Sequence, residues 1–318
     1  MNTDNNRKKK YEKDESLEFV LEKVNERLSL LEKELLEQYE APKLPIIFIV
    51  GAQRSGTTLL MQLLIQRYYL EYPTNFIARF WSCPFVGAKL YKSFDLTPSK
   101  NLESDLGYTK DLSGPHEFGY FWKRWFPWLA FEKESYEEID YSKLKKELAA
   151  WESINENPLV FKNIIHIPFH IEKIYKLFPK AFFLHIEREE LYNVQSTYKS
   201  RLKLYGSENE WLGGKPRAYQ ELLGLPVFDQ ITGQVRHINQ DINNQLQQIP
   251  RENYLQIKYS EMIADPATLF KSLENKISKI FNLKIRNITT AELTNQNVKR
   301  VDESLFVEME RAVENYKK

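Results

Sequence analysis

One stretch limits what this chain can fold into more than any other: Pro45-Ile-Ile-Phe-Ile-Val-Gly-Ala-Gln-Arg-Ser-Gly-Thr-Thr-Leu-Leu60. Ile46 to Val50 is an uncharged run of β-branched and aromatic residues, suited to a strand buried on both faces. Gly51 to Thr58 then brings small residues, three hydroxyls and one cation, Arg54, and a good helix former follows from Leu59 to Ile65. A strand, a glycine-bounded loop and a helix N-terminus in that order make an anion cradle. Backbone N–H groups and the positive end of the helix dipole then converge on one spot. Glycine is needed where a side chain would keep the backbone away from the anion. The bland alternative is a glycine turn that merely closes a strand–helix unit.

The spacing Gly51-x4-Gly56-Thr57-Thr58 is close to the Walker pattern GxxxxGK[ST], but Thr57 stands where that pattern has lysine. The Walker lysine reaches the outer phosphates of a nucleoside triphosphate. Here the only cation sits inside the loop, so a shorter anionic chain than that of ATP is expected.

A chain of 318 residues can bury one large core or two small ones, and no Gly-, Ser- or Pro-rich linker divides it. The expectation is a charged tail and amphipathic helix over 1–41, followed by an α/β domain over 42–318. A net charge of +1 speaks against a nucleic-acid protein. The single Cys83 excludes an internal disulfide framework, and no Cys/His cluster has zinc spacing, so no metal is expected. No apolar run approaches the ~20 residues that span a bilayer, and the N-terminus is polar, so a cytoplasmic protein is expected.

Residues 1–14 read as disordered. From Leu17 a heptad seam follows: Leu17, Leu21, Val24, Leu28, Leu31 and Leu35. A homodimer through residues 17–36 is one reading. Leu30 and Leu36 widen the apolar face and favour a helix laid on the domain's own surface. Pro42 and Pro45 end that helix.

Residues 71–131 mix turn residues with aromatics, among them Phe76, Phe80, Trp81, Phe118, Phe121, Trp122, Trp125, Phe126 and Trp128, and neither helix nor strand period dominates. Such a stretch suits a pocket wall, or else irregular core packing. Alternation then resumes: strands at 159–162, 181–186 and 254–259, helices at 169–178, 189–202, 231–249 and from Asp265-Pro266, and a loop or lid at 205–226. This pattern implies a parallel sheet covered by helices, with a ligand at the carboxyl ends of its strands.

The strand at 181–186 ends in Glu187-Arg188, and Ser196 follows two turns into the next helix. Arg188 then lies on the same sheet edge as the Gly51–Thr58 loop, supplying a planar fork for phosphate, with Ser196 as a hydroxyl donor. Two phosphate grips on one edge suggest a nucleotide phosphorylated at both ends. The alternative is that Arg188 pairs with Glu187 or Glu190 and Ser196 only fits a helix contact.

At this point the chain resembles the PAPS-dependent sulfotransferases. The resemblance rests on four stretches in order, Gly51–Thr58, Val160-Phe-Lys162, Phe183–Arg188 with Ser196, and Tyr259–Pro266, and it covers roughly residues 45–282. It implies a three-layer α/β P-loop domain, similar to nucleotide kinases, around a central parallel sheet. The co-substrate would be PAPS, the product adenosine 3′,5′-bisphosphate, and no metal would be needed. Gln53, Arg54, Ser55, Gly56, Thr57 and Thr58 would hold the 5′-phosphosulfate, Arg188 and Ser196 the 3′-phosphate, and Tyr259 would lie beside the adenosine. Basic residues near the C-terminus close over the 3′-phosphate in some members, and Lys299 and Arg300 stand at that place. A sulfuryl group carries less negative charge than a γ-phosphoryl, which agrees with the missing Walker lysine.

The general base is where this sequence departs from the family. One branch has a catalytic histidine two residues after the strand lysine, where this chain has Ile164. Another uses a glutamate about twenty residues past the loop; Glu71 is at an imperfect offset, and Asn75 and Arg79 stand nearer. Gly114-Pro-His-Glu-Phe118 offers Glu117 first and His116 second, with Glu71 third, and Lys162 would stabilise charge on the transferring group. His166 and His170 read as packing or helix-start residues. The aromatic segment 76–131 is expected to form the site for a hydroxyl-bearing small molecule, carbohydrate or glycolipid acceptor. Two rivals stand beside this reading: a P-loop kinase, and a non-enzymatic nucleotide-binding scaffold oligomerising through 17–36.

Overall fold

A computed structural model describes residues 6–97, 102–127, 139–286 and 293–316. β1 (Ile46–Val50) is buried along its whole length, as a strand of five apolar residues with no polar face must be. It pairs in parallel with β2 (Leu159–Lys162) and β3 (Phe182–Glu187), and β3 pairs with β4 (Tyr254–Lys258), giving the order β2-β1-β3-β4. β1 is followed in the chain by a neighbour on one side and then by one on the other. The crevice outside the carboxyl ends of β1 and β3 is therefore a topological switch point, where ligands of such sheets bind.

The helices in chain order are α1 (Glu15–Leu35), α2 (Thr57–Arg67), α3 (Pro84–Ser93), α4 (Gly119–Trp125), α5 (Ser142–Glu152) and α6 (Ile171–Leu177). After them come α7 (Glu190–Leu204), α8 (Tyr219–Leu222), α9 (Val227–Leu246), α10 (Tyr259–Ala264), α11 (Pro266–Ile277) and α12 (Glu303–Asn315). Strand side chains alternate between faces, and two cores follow from that. Ile46, Phe48, Val50, Phe161 and Phe183 join α4, α5, α6, α7, α9 and α12 on one face. Ile47, Ile49, Val160, Phe182, Leu184 and Ile186 join α2, α10 and α11 on the other. These are the three layers expected. None of the helices is long and apolar enough to cross a membrane among the described residues.

Several local expectations are corrected. Residues 6–14, expected to be disordered, are held to the domain: the Lys8 N–H donates to Leu204 O at 2.8 Å, the Asn6 amide to Glu210 at 2.9 Å, and the Tyr11 hydroxyl to Asp105 at 3.3 Å. The stretch 71–131 contains α3 and α4, helices whose period was hidden because so many of their residues are aromatic. Among the described residues, Tyr108 is the one ring of this stretch that lines the cavity described below; most of the others pack inward. Phe118, Phe121, Trp122 and Phe126 are buried in the core. There Trp122 meets Phe161 edge-on at 4.9 Å and Phe48 at 5.7 Å, because β1 and β2 present large rings on that face. Trp128 lies outside the described residues. α8 interrupts the 205–226 loop, and α12 gave no clear signal in the sequence.

α1 lies against its own domain through two buried polar residues as well as through part of its apolar face, where Leu21, Val24 and Leu28 are half-buried and Leu36, just past its end, is buried. The Asn25 amide donates to Arg79 O at 2.7 Å, while its oxygen accepts the Ser82 N–H at 2.8 Å. One turn pair further on, both Glu32 oxygens accept N–H groups of Phe85 and Val86 at 2.9 Å, capping the start of α3. Leu17, Leu31 and Leu35 stay exposed.

Candidate active site

The loop between β1 and α2 is shaped by three backbone facts. A Cβ on Gly51 would stand 2.5 Å from Ile186 O, so no side chain fits between the loop and β3. Gly56 has φ +102° and lies against the Tyr259 ring, 2.7 Å from where its Cβ would be. Arg54, between them, takes φ +62°, a left-handed conformation that costs a non-glycine residue about 1–3 kcal/mol. That strain aims the guanidinium across the crevice toward α7. Thr57 and Thr58 open α2 and are buried at its positive end.

The second grip meets the first. Arg54 Nε donates to Ser196 Oγ at 3.1 Å, and Arg188 Nη1 donates to Arg54 O at 3.3 Å. Arg188 is fixed further by Gln296 O and Asn297 Oδ1, both at 2.7 Å, and lies over the Tyr259 ring at 4.9 Å. The two carboxylates considered as its alternative partners are engaged elsewhere: Glu190 with Arg236 at 2.6 Å, Glu187 with Asn243 at 3.2 Å. Burial lowers the pKa of both arginines, and each is lowered further by another cation, Arg54 by Arg188 and Arg188 by Arg300. Two desolvated like charges at a helix N-terminus make a place that an anion would relieve. Arg54, Gly56, Thr57, Thr58, Arg188, Ser196, Tyr259 and Arg300 all line one cavity of about 1300 Å³.

Lys162, at the carboxyl end of β2, is fully buried and lies behind the cavity lining, touching it through its partners. Its Nζ donates to Thr58 Oγ1 at 2.8 Å and pairs with Glu117 Oε1 at 2.9 Å. Glu117 lines the cavity, as does Ile164. A carboxylate, an ammonium and a helix-terminal hydroxyl thus stand in one hydrogen-bonded row beside the anion cradle.

Other candidates fall elsewhere. Gln53 and Ser55 are buried behind the loop, their side chains without hydrogen-bond partners, and do not line the cavity. Lys299 pairs with Glu303 rather than facing the cavity. Glu71 is held by Asn155 at 2.9 Å and Asn157 at 3.2 Å. The Asn75 amide ties together the turn at 109–114 through Thr109 at 3.0 Å and Asp111 O at 2.8 Å. His116 lies beside Glu117 but does not line the cavity.

The sequence reading missed the strap that forms the wall facing the loop. Leu102, Asp105, Leu106, Gly107, Tyr108 and Lys110 line the cavity there. Asp105 reaches across to Lys203 on α7. Two consecutive left-handed residues, Leu106 at φ +54° and Gly107 at φ +91°, turn the strap over Thr58, whose hydroxyl donates to Gly107 O at 3.4 Å. The glycine in a short polar stretch was the available signal. Gln296 was missed as well, because nothing local marks a backbone carbonyl as an arginine's partner.

Residues 45–278 match the model of the Sulfotransferase family. The chain belongs to this family. The match spans the loop, the β2 lysine, Arg188, Ser196 and Tyr259, so every cavity residue named above except Gln296 and Arg300 falls within it. Similar to this sulfotransferase are the omega-hydroxy-beta-dihydromenaquinone-9 sulfotransferases Stf3 of Mycobacterium bovis and Mycobacterium tuberculosis, each 25% identical over 254 residues and covering 70% of this chain. The chain spans about 60% of the length of these curated relatives. Among solved structures, sulfotransferase STF9 from Mycobacterium avium is 17% identical with a TM-score of 0.48, covering 75% of this chain and 64% of its own. Sulfotransferase STF1 from Mycobacterium tuberculosis is 15% identical with a TM-score of 0.45, over 91% and 76%.

Proposed function

We propose that this sulfotransferase moves a sulfuryl group from PAPS to an acceptor hydroxyl and leaves adenosine 3′,5′-bisphosphate. The observation that carries the reading is the meeting of Arg54 with Ser196 and of Arg188 with the Arg54 carbonyl on one sheet edge. Two anion grips so close, with a Tyr259 ring against one of them, fit a nucleoside phosphorylated at both ends. The residues fit that ligand: Arg54 and Arg188 both line the cavity, and neither has a carboxylate within ion-pair distance among the described residues.

When bound, PAPS supplies an activated sulfuryl group on a phosphate leaving group. The chain's residues do the rest. Arg54 and the N–H groups at the start of α2 hold the 5′ end, and Arg188, Ser196 and Arg300 the 3′ end. Glu117 accepts the proton of the acceptor hydroxyl as its oxygen bonds to sulfur and the sulfur–phosphate oxygen bond breaks. Lys162, linked to both Thr58 and Glu117, stabilises charge where it gathers on the transferring group.

The cavity exceeds the roughly 300–1,000 Å³ of an ordinary ligand pocket, which suits two reactants side by side. The lining that Glu117 shares includes Leu102, Leu106, Tyr108 and Ile164 together with polar strap residues such as Asp105 and Lys110. The preference for a lipid or glycolipid hydroxyl over a free carbohydrate is supported by the menaquinone alcohol in the relatives' names. A kinase reading would need a lysine at Thr57.

The experiment is an acceptor screen with sulfur-labelled PAPS on the wild-type chain and on Glu117→Gln. Label transfer to a lipid alcohol, lowered about 10²–10⁴-fold by Glu117→Gln, supports the reading. Phosphoryl transfer from ATP without transfer from PAPS rejects it.

A further inference from the structure

We propose that His116 is a positioning residue, whose Nδ1 accepts the Phe118 N–H and thereby holds Glu117 at the cavity, and that it is not the group that takes the acceptor's proton. The proposal rests on the reading of Glu117 as the base. The hydrogen bond from Phe118 N to His116 Nδ1 is 2.9 Å long. A backbone N–H can only donate, so Nδ1 must offer its lone pair and the ring proton must sit on Nε2. A ring locked in that state has its δ nitrogen already occupied.

The turn that this bond closes is an uncommon one. Phe118 has φ +55°, a left-handed conformation that a bulky residue enters only when its surroundings impose it. It precedes α4 without any side-chain cap, so the imidazole is what satisfies its N–H. Further contacts pin the turn on either side. The His116 N–H donates to Pro73 O at 2.8 Å, and the Phe118 ring stacks on Phe121 at 4.7 Å with 3° between planes. The Asn163 amide donates to Glu117 O at 3.4 Å. Asn163 is itself fixed, its oxygen accepting N–H groups of Ile165, His166 and Ile167 at 3.0, 2.6 and 3.2 Å. Glu117 is thus held by its backbone on both sides while its carboxylate meets Lys162.

The surroundings suit a neutral ring. Burial pushes the His116 pKa down to about 4; Glu117 opposes this, and Lys162, Arg79 and Lys13 add to it. His116 therefore stays neutral through the range in which the enzyme would work, and the acceptor role of Nδ1 persists there.

Asparagine can place an oxygen near the position of Nδ1, whereas alanine cannot. His116→Ala is expected to lower kcat about 10–100-fold, the scale of a misplaced catalytic group, with affinity for adenosine 3′,5′-bisphosphate unchanged. His116→Asn is expected to recover most of that rate and to keep the acid limb of the pH–rate profile. Equal losses in both variants together with disappearance of that limb would make His116 the base and overturn the proposal, as would an unimpaired His116→Ala. A second measurement does not depend on turnover. Nitrogen-15 shifts of the wild-type ring should report an Nε2–H tautomer down to about pH 5, against the ~6.5 midpoint of an unperturbed histidine. An Nδ1–H tautomer, or titration near 6.5, overturns the proposal even if no acceptor is ever found. A missing label transfer with the Nε2–H tautomer in place would count against the sulfuryl-transfer reading alone.

Discussion

Lys162 shows what a single residue does in this site. An ammonium with no exposed surface is tolerable because Glu117 and Thr58 both receive its protons, at 2.9 and 2.8 Å. If its part is to stabilise charge that gathers only during transfer, Lys162→Met should lower kcat about 10²–10³-fold, as loss of one preorganised donor does. The affinity for adenosine 3′,5′-bisphosphate should change little. A comparable loss of affinity in a titration would mean that the lysine binds rather than activates. Residues such as Arg54, Arg188 and Ser196 were legible in the sequence because a glycine-bounded loop and a strand end fix where such side chains go. The state of His116 was not. Whether a histidine accepts or donates depends on a backbone N–H two residues away and on how the turn between them is wound.

At the scale of elements, periodicity gave the sheet and six of the twelve described helices, α1, α2, α6, α7, α9 and α11, with α9 shifted by three to four residues, since buried parallel strands and amphipathic helices carry their environment in their own sequence. β3 lies one residue later than expected, and Tyr259 opens α10 rather than ending β4. The aromatic stretch failed for a physical reason: rings that pack on a sheet of Phe48, Phe161 and Phe183 leave no polar face to betray a period. The same limit hid the strap at 102–110, whose place over Thr58 is set by contacts from distant parts of the chain. α1 offers a test of its own. Burial raises the Glu32 carboxyl to about 7, against the two N–H bonds that lower it. The folded state therefore holds a proton that the unfolded chain, near 4.5, has released. Stability from this group is complete below about pH 4.5, falls as pH rises toward 7 and is flat above it, a change of roughly 3 kcal/mol. The difference in melting between wild type and Glu32→Gln, followed from pH 4.5 to 8, should trace that slope. A constant difference would show that Glu32 does not titrate in this window.

Over the whole molecule the arrangement follows from where β1 sits. With β2 on one side and β3 on the other, the loops after β1 and β3 open onto one crevice, and α7 brings Ser196 to its far wall. The strap closes the opposite side, and the N-terminal segment fastens it through Tyr11 and Asp105. The sequence could foretell the crevice, because strand order after a βαβ start has few solutions. It could not foretell that Gln296 and Asn297, more than a hundred positions from Arg188, would orient its guanidinium.

The central claim is that the two arginines grip opposite ends of one adenosine, and calorimetric titration with adenosine 3′,5′-bisphosphate and adenosine 5′-monophosphate tests it most directly. A charge-assisted contact of about 1.5–3 kcal/mol predicts that the wild-type chain prefers the bisphosphate by roughly 10–150-fold. Arg188→Ala should cut that preference sharply, to what Ser196 and Arg300 still supply, and leave monophosphate affinity in place, whereas Arg54→Ala should weaken both ligands alike. A preference undiminished in Arg188→Ala, or a wild-type chain that does not distinguish the two nucleotides, would contradict the account.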